Sequence, residues 1–168
     1  DESTSVVVLG DGRLGNLCAQ VLSTRTHQLT VVGKHDWKME RLQARQIATV
    51  SLGDVQPDRS ADVVVDCTGS PSGIELAMQL VRPCGTIILK TTVAAEQSLH
   101  LAPVVIDEVR VLGSRCGPFA PALELLSTGQ VQVQALISAR YPLEEAINAF
   151  SHAERPDTLK VLFDVADK

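Results

Sequence analysis

The chain has 168 residues, 45% of them hydrophobic, and a formal net charge of -5. That length supports one well-filled core rather than two. The acidic balance argues against nucleic acid or an anionic membrane as the main partner. No apolar run reaches the ~18 residues that suggest a spanning helix. No basic segment followed by an apolar one marks a secretory signal, and the opening DESTS leads straight into the first apolar run, as if the chain were cut from something longer. Cys18, Cys67, Cys84 and Cys116 are scattered, without C-x-x-C spacing. This argues against a disulfide framework and for a reducing, cytoplasmic protein in which Cys18 and Cys67 are small buried side chains.

The first element is the apolar run VVVL, which stops at Gly10. Leu14, Leu17, Cys18, Val21 and Leu22 then follow helical spacing and predict an apolar helix face. LTVVG (29–33) is a second strand, after which Asp36 is expected to cap a helix carrying Leu42 and Ile47. ATVSL (48–52) is a weaker strand, and the valine run of ADVVVDCTG (61–69) suits a strand covered on both faces. Ile74, Ala77, Met78 and Val81 mark a helix closed by Pro83 and Gly85. TIILK (86–90) and EVRVLGS (108–114) are further strands, with the connection 91–107 unassigned. A helix with Phe119, Ala122, Leu123 and Leu126 ends near Gly129.

Strands alternating with helices predict a Rossmann-type α/β fold, a doubly wound parallel sheet with helices on both faces. The expected boundaries are a dinucleotide-binding domain over 1–130 and a C-terminal segment over 131–168. In that segment Pro142 is expected to open a helix with Leu143, Ala146, Ile147 and Phe150 on one face, followed by a strand in TLKVLFDV.

Gly10, Gly12 and Gly15 form G-x-G-x-x-G, with Arg13 and Leu14 between the last two. The first glycine makes the strand-to-helix turn, the second lets backbone approach a pyrophosphate, and the third lets the helix pack near the strand. The helix N-terminus offers N–H groups and a partial positive charge to the anion. The context of strand, loop and periodic helix favours a ligand over a bare turn. At the end of the second strand an NAD-binding unit places an acid on the ribose. This chain has Gly33 and Lys34 there, followed by His35 and Lys38. Room and positive charge favour NADP(H), with NAD(H) the alternative should Asp36 or another acid reach the ribose.

These motifs resemble the cofactor-binding half of the medium-chain dehydrogenase/reductases, the zinc-type alcohol dehydrogenase superfamily. The resemblance is carried by VVVLGDGRLGNLCAQVL, by DVVVDCTGSPSGIELAMQLVRPCGTIIL and by LISARYPLEEAINAFSHAERPDTLKVLF, which span nearly the whole chain in the family's order. It implies that Cys67, Thr68, Gly69 and Ser70 line the adenosine side of the cofactor cleft. Leu89, Lys90 and Thr91 would lie beside the nicotinamide, and Lys160 would reach the pyrophosphate. It implies a homodimer joined through EVRVLGS, the edge strand in the order 3-2-1-4-5-6. The closing segment would return to an N-terminal catalytic domain that holds any zinc and most of the pocket for a small-molecule substrate.

His27, His35, His100 and His152 have no partners at metal-ligand spacing. No catalytic or metal residue is therefore expected in this chain, which should bind nicotinamide dinucleotide without turnover. A nucleotide-sensing Rossmann module and a methyltransferase are the competing functions. The closing segment argues against the first, and the missing acid after the second strand argues against the other.

Overall fold

A computed structural model describes residues 2–93 and 99–165. The described chain divides into two units, residues 1–131 and 132–168.

In the first unit, β1 (Val6–Leu9), α1 (Arg13–Leu22), β2 (Leu29–Gly33), α2 (Asp36–Gln43) and β3 (Ala48–Ser51) build one half of the sheet. The other half is β4 (Ala61–Asp66), α3 (Ser72–Leu80), β5 (Val81–Leu89), α4 (Ala102–Ile106) and β6 (Arg110–Gly113), followed by α5 (Phe119–Ser127). The sheet order is β3-β2-β1-β4-β5-β6, with every neighbouring pair parallel. This is the expected doubly wound order, and it puts the reversal of strand order between β1 and β4.

The valine runs fill both faces of the sheet, because successive strand residues point to opposite sides. Val8, Val31 and Val65 pack with Ala19 of α1 and Leu42 of α2. Leu9, Val32, Val64 and Ile87 pack on the other face with Ile74, Ala77 and Leu80 of α3. Full burial of each such side chain is worth on the order of 1.5–3 kcal/mol.

Three local expectations change in this unit, and the unassigned connection gains an element. The buried face of α1 is Gly15, Asn16, Ala19 and Gln20, while Leu14 and Val21 are about 40% exposed. Small residues let the helix approach the strand, and the Gln20 amide donates to Asn16 Oδ1 at 2.7 Å, which pairs one donor and one acceptor of the two buried amides. Asp36 is the first helical residue of α2 rather than its cap, a position taken by His35. Pro83 and Gly85 do not close α3. They lie within β5, which begins at Val81 directly after the helix and carries Cys84 at φ 59°. The connection before β6 contains α4, a five-residue turn with Pro103 near its start.

In the second unit a short 3₁₀ turn (Gln134–Leu136) leads into β7 (Ile137–Pro142), a second such turn (Leu143–Glu145), α6 (Ala146–Ala153) and β8 (Lys160–Asp164). Pro142 ends β7 instead of opening a helix. β7 and β8 pair in parallel. α6 is fastened to them by Tyr141 Oη and His152 Nδ1 at 2.8 Å and by the Phe150 and Phe163 rings, edge-on at 6.1 Å.

Candidate functional site

The glycine turn sits at the switch point between β1 and β4, where open α/β sheets take their ligands beyond the carboxyl ends of the strands. Gly10 has φ 109°, in the region that strains other residues, and a Cβ on it would stand 2.9 Å from the Cys67 carbonyl oxygen. A Cβ on Gly15 would collide with the Gly10 carbonyl, so α1 starts as close to β1 as two backbones allow. Gly12 differs from both. Its backbone is extended and nothing lies within 4 Å of where its side chain would go. α1 begins there with no side chain capping its first N–H groups, which an α-helix leaves without intrahelical partners. An open cradle of backbone donors at a helix N-terminus suits a pyrophosphate.

A cavity of about 290 Å³ extends from this turn, lined by Gly10, Asp11, Gly12, Gly33, Lys34, His35, Lys38, Cys67 and Thr68 among others. Most of the residues expected on the adenosine side thus share one hollow. Arg13 and Leu14 lie on the exposed first turn of α1, outside that lining. Gly69 is the exposed tip of the next turn, at φ 68°. A second hollow of about 370 Å³ continues on the β5 side, with Asp66, Ser70, Leu89 and Thr91 in its wall. Lys90 turns away from both: its Nζ donates to the Ser114 carbonyl, Ser114 Oγ and the Arg115 carbonyl, each at 3.2 Å, tying β5 to the end of β6. Lys160 is exposed at the start of β8 in the second unit. A larger hollow of about 690 Å³ lies among Arg59, Glu75, Met78 and Asp107. Arg59 precedes β4 and Asp107 precedes β6, so it belongs to the amino ends of the strands, opposite the glycine turn.

Two residues absent from the sequence-based set organise the site. Asp66, 2% exposed, ends β4. Its Oδ1 accepts from Thr68 N–H at 2.9 Å, Thr68 Oγ1 at 2.8 Å and Thr91 Oγ1 at 3.0 Å. Thr91 Oγ1 in turn lies 3.1 Å from the Gly69 N–H, which donates to it. One buried carboxylate thereby holds the turn after β4 against the end of β5. Asp11, 6% exposed, occupies the second position of the glycine motif. Its Oδ2 accepts from the Lys34 and His35 N–H groups, each at 2.7 Å, and lies 3.0 Å from His35 Nδ1.

That carboxylate changes the reading of the strand end. A Cβ on Gly33 would meet Met39 at 2.8 Å and the Asp11 Cβ at 2.9 Å. Gly33 is small because neighbouring side chains fill its space, not because it leaves room for a phosphate. Lys38 lies over the Trp37 ring, with Nζ 5.1 Å from the centroid.

Cys18 and Cys67 meet beneath the turn, with their Sγ atoms 3.9 Å apart. Both are half-buried, not fully buried as expected. The Cys67 thiol donates toward Cys18, and this bond, aided by the charge of Lys90, lowers Cys18 to about 7 against the opposing effect of burial. Cys67 is pushed up by its role as donor, by burial and by the nearby negative charges of Cys18 and Asp66. Among the described residues no group of three or more His, Cys, Asp or Glu side chains could hold a metal ion, and no helix is long and apolar enough to cross a membrane.

The chain is 26% identical to sorbitol dehydrogenase of Mus musculus over 174 aligned positions, covering 94% of this chain and 48% of that protein. A zinc-binding dehydrogenase of Sinorhizobium meliloti 1021, solved bound to NADP, superposes with a TM-score of 0.83 at 24% identity over 96% of this chain and 52% of the other. A short chain alcohol dehydrogenase of E. coli CFT073, solved with NADH, gives 0.85 at 20% identity over 98% and 53%. The chain spans about half the length of these relatives. The model of the zinc-binding dehydrogenase family matches residues 15–128, and the chain belongs to that family.

Proposed function

We propose that the chain is the nucleotide-binding half of an NAD(P)-dependent, alcohol dehydrogenase-like oxidoreductase. The observation that carries this reading is the open cradle at Gly12, at the switch point of a parallel sheet and at an uncapped helix start. The residues present fit a dinucleotide: a cavity on each side of the turn after β4, with the pyrophosphate cradle at the edge of the first. When bound, the nicotinamide supplies the hydride chemistry, and this half contributes binding and orientation. In the longer protein the other partner is a small alcohol or carbonyl compound, in keeping with the sorbitol and alcohol dehydrogenases among its relatives. Any zinc belongs to a catalytic domain outside this chain. The exposed apolar face of Leu143, Ile147 and Phe150 supports such a neighbour for the second unit.

The deciding experiment is a fluorescence titration with NADH, NADPH and S-adenosylmethionine. Both dinucleotides should be tested for saturable binding, and at least one is expected to show it. No alcohol should be oxidised by this chain alone. Saturable binding of S-adenosylmethionine with neither dinucleotide bound would overturn the reading.

Two further points belong to it. β6 is the edge of the sheet, with Leu112 about half exposed, and we expect it to pair with its copy in a symmetric homodimer. Light scattering that finds a monomer at high concentration would remove that expectation. The four unpaired cysteines support a reducing compartment, the cytoplasm.

A further inference from the structure

We propose that Asp11, reaching across from the glycine turn, is the carboxylate that selects the cofactor, and that it favours NAD(H) over NADP(H). The inference rests on the dinucleotide reading above and runs opposite to the preference expected from the residues of the second strand end.

A 2′-phosphate at the end of β2 needs hydrogen-bond donors and positive charge. The backbone donors there are the Lys34 and His35 N–H groups, and both already point at Asp11 Oδ2 at 2.7 Å. The imidazole of His35 faces the same carboxylate, 3.0 Å from Oδ2 and 3.2 Å from Oδ1. An internal anion thus occupies the donors an external one would use. It does so in the wall of the cavity and almost wholly shielded from water, where charge repulsion is screened less than in bulk. A phosphate entering here would meet a like charge and a depleted set of donors.

A ribose hydroxyl meets the opposite situation. It can donate to a carboxylate, and among the described residues Oδ1 has the 3.2 Å contact to His35 as its sole partner, which leaves acceptor capacity. The carboxylate that NAD-binding units commonly place at the end of the second strand is here delivered by the preceding turn. Gly33 fits that exchange, since Met39 and the Asp11 Cβ stand where its side chain would be. Lys34 and Lys38 line the same cavity, but a charged lysine cannot return the two amides that Asp11 holds.

The test compares dissociation constants for NADH, NADPH and 2′-deoxyadenosine NADH on the wild type, then on Asp11→Asn and Asp11→Ser. Both substitutions keep an acceptor at the turn and remove the charge. The wild type should bind NADH at least tenfold tighter than NADPH, and loss of the 2′-hydroxyl should weaken NADH about tenfold. Each variant should shift the NADH-to-NADPH ratio at least tenfold toward NADPH. A wild type that prefers NADPH, or ignores the 2′-hydroxyl, overturns the proposal even if neither variant folds. A ratio unchanged in the variants also overturns it, leaving Asp11 as a fastening for the turn. If neither dinucleotide binds the wild type, the functional reading itself fails and this inference with it. Binding with no change in ratio strikes the inference alone.

Discussion

The two walls of the crevice are built by opposite means. On the β1–α1 side the chain withholds side chains: Gly10 and Gly15 have backbone where a Cβ would go, and Gly12 has empty space. On the β4–β5 side it supplies them, with buried Asp66 gathering Thr68 and Thr91 onto one oxygen. The first wall is shaped by close packing of backbone and the second by a satisfied polar network. They should therefore fail differently, one by steric collision and the other by leaving buried donors without a partner.

The largest effect is expected within the glycine turn, and it separates two glycines three residues apart. Gly15→Ala drives a methyl group into the Gly10 carbonyl. We expect a loss of about 3 kcal/mol or more, which is roughly 6–12 °C in Tm for a domain of this size. Gly12→Val has open space to enter and loses about 1 kcal/mol of helix-capping preference, yet should weaken dinucleotide binding at least a hundredfold. Thermal melts and titrations on both variants make the check. Equal stability losses, or unimpaired binding by Gly12→Val, would show that the turn is packing and not a cradle.

Asp66→Ala is the matching test of the other wall. It strands the Thr68 N–H and leaves the two hydroxyls only their longer contacts, Thr68 Oγ1 to the Ser70 carbonyl at 3.3 Å and Thr91 Oγ1 to the backbone carbonyl of residue 66 at 3.2 Å, at an expected cost of about 2–3 kcal/mol. Thr91→Val removes the donor to Asp66 and the acceptor of the exposed Gly69 N–H, which water can replace, and should cost about 1 kcal/mol. Because the three groups share one oxygen, the double variant should lose less than the sum of the two. Additive losses in chemical denaturation would mean that Asp66 and Thr91 act independently and that no network joins β4 to β5.

The same contrast explains what could be read from the chain beforehand. Glycine spacing records where backbone must pass close to something, so the turn, the strand order and the cofactor class were legible from residues 6–22 and from the valine run of β4. Pairing across the fold leaves no such spacing. Asp11 and Asp66 are, in the sequence, ordinary acids beside strand ends, and their roles depend on partners 23 to 25 residues away. A signal was present at Asp11, an acid inside a glycine turn facing a second strand that ends in glycine, but it needs the register of β1 against β2 to be seen. Apolar spacing does not mark the buried face of α1, because close approach to the sheet selects Gly15 and Ala19. Pro142 fits the start of a helix equally well as the end of an edge strand, and only the pairing of β7 with β8 decides it.

The smallest expected effect lies where the two walls meet, at Cys18 of α1 and Cys67 at the end of β4. The hydrogen bond from Cys67, with help from Lys90, lowers Cys18 to about 7, whereas an ordinary thiol titrates near pH 8.5. A group lowered on folding binds its proton more weakly in the native state, so it adds stability that is present above the unfolded value and is lost as pH falls through about 7. Cys67 is raised, so its contribution is present below the unfolded value and is lost at more alkaline pH. Stability from this pair should therefore rise slightly between pH 7 and 8.5 and decline beyond it. Thiolate absorbance near 240 nm should show one early midpoint near pH 7. Cys67→Ala removes the donor, so that midpoint should move up toward the ordinary range and the rise in stability should disappear. Cys67→Ser keeps a hydroxyl donor and should hold the midpoint low. An early midpoint that stays put in Cys67→Ala would assign the acidity to Lys90 alone and leave the two walls without a direct link through sulfur.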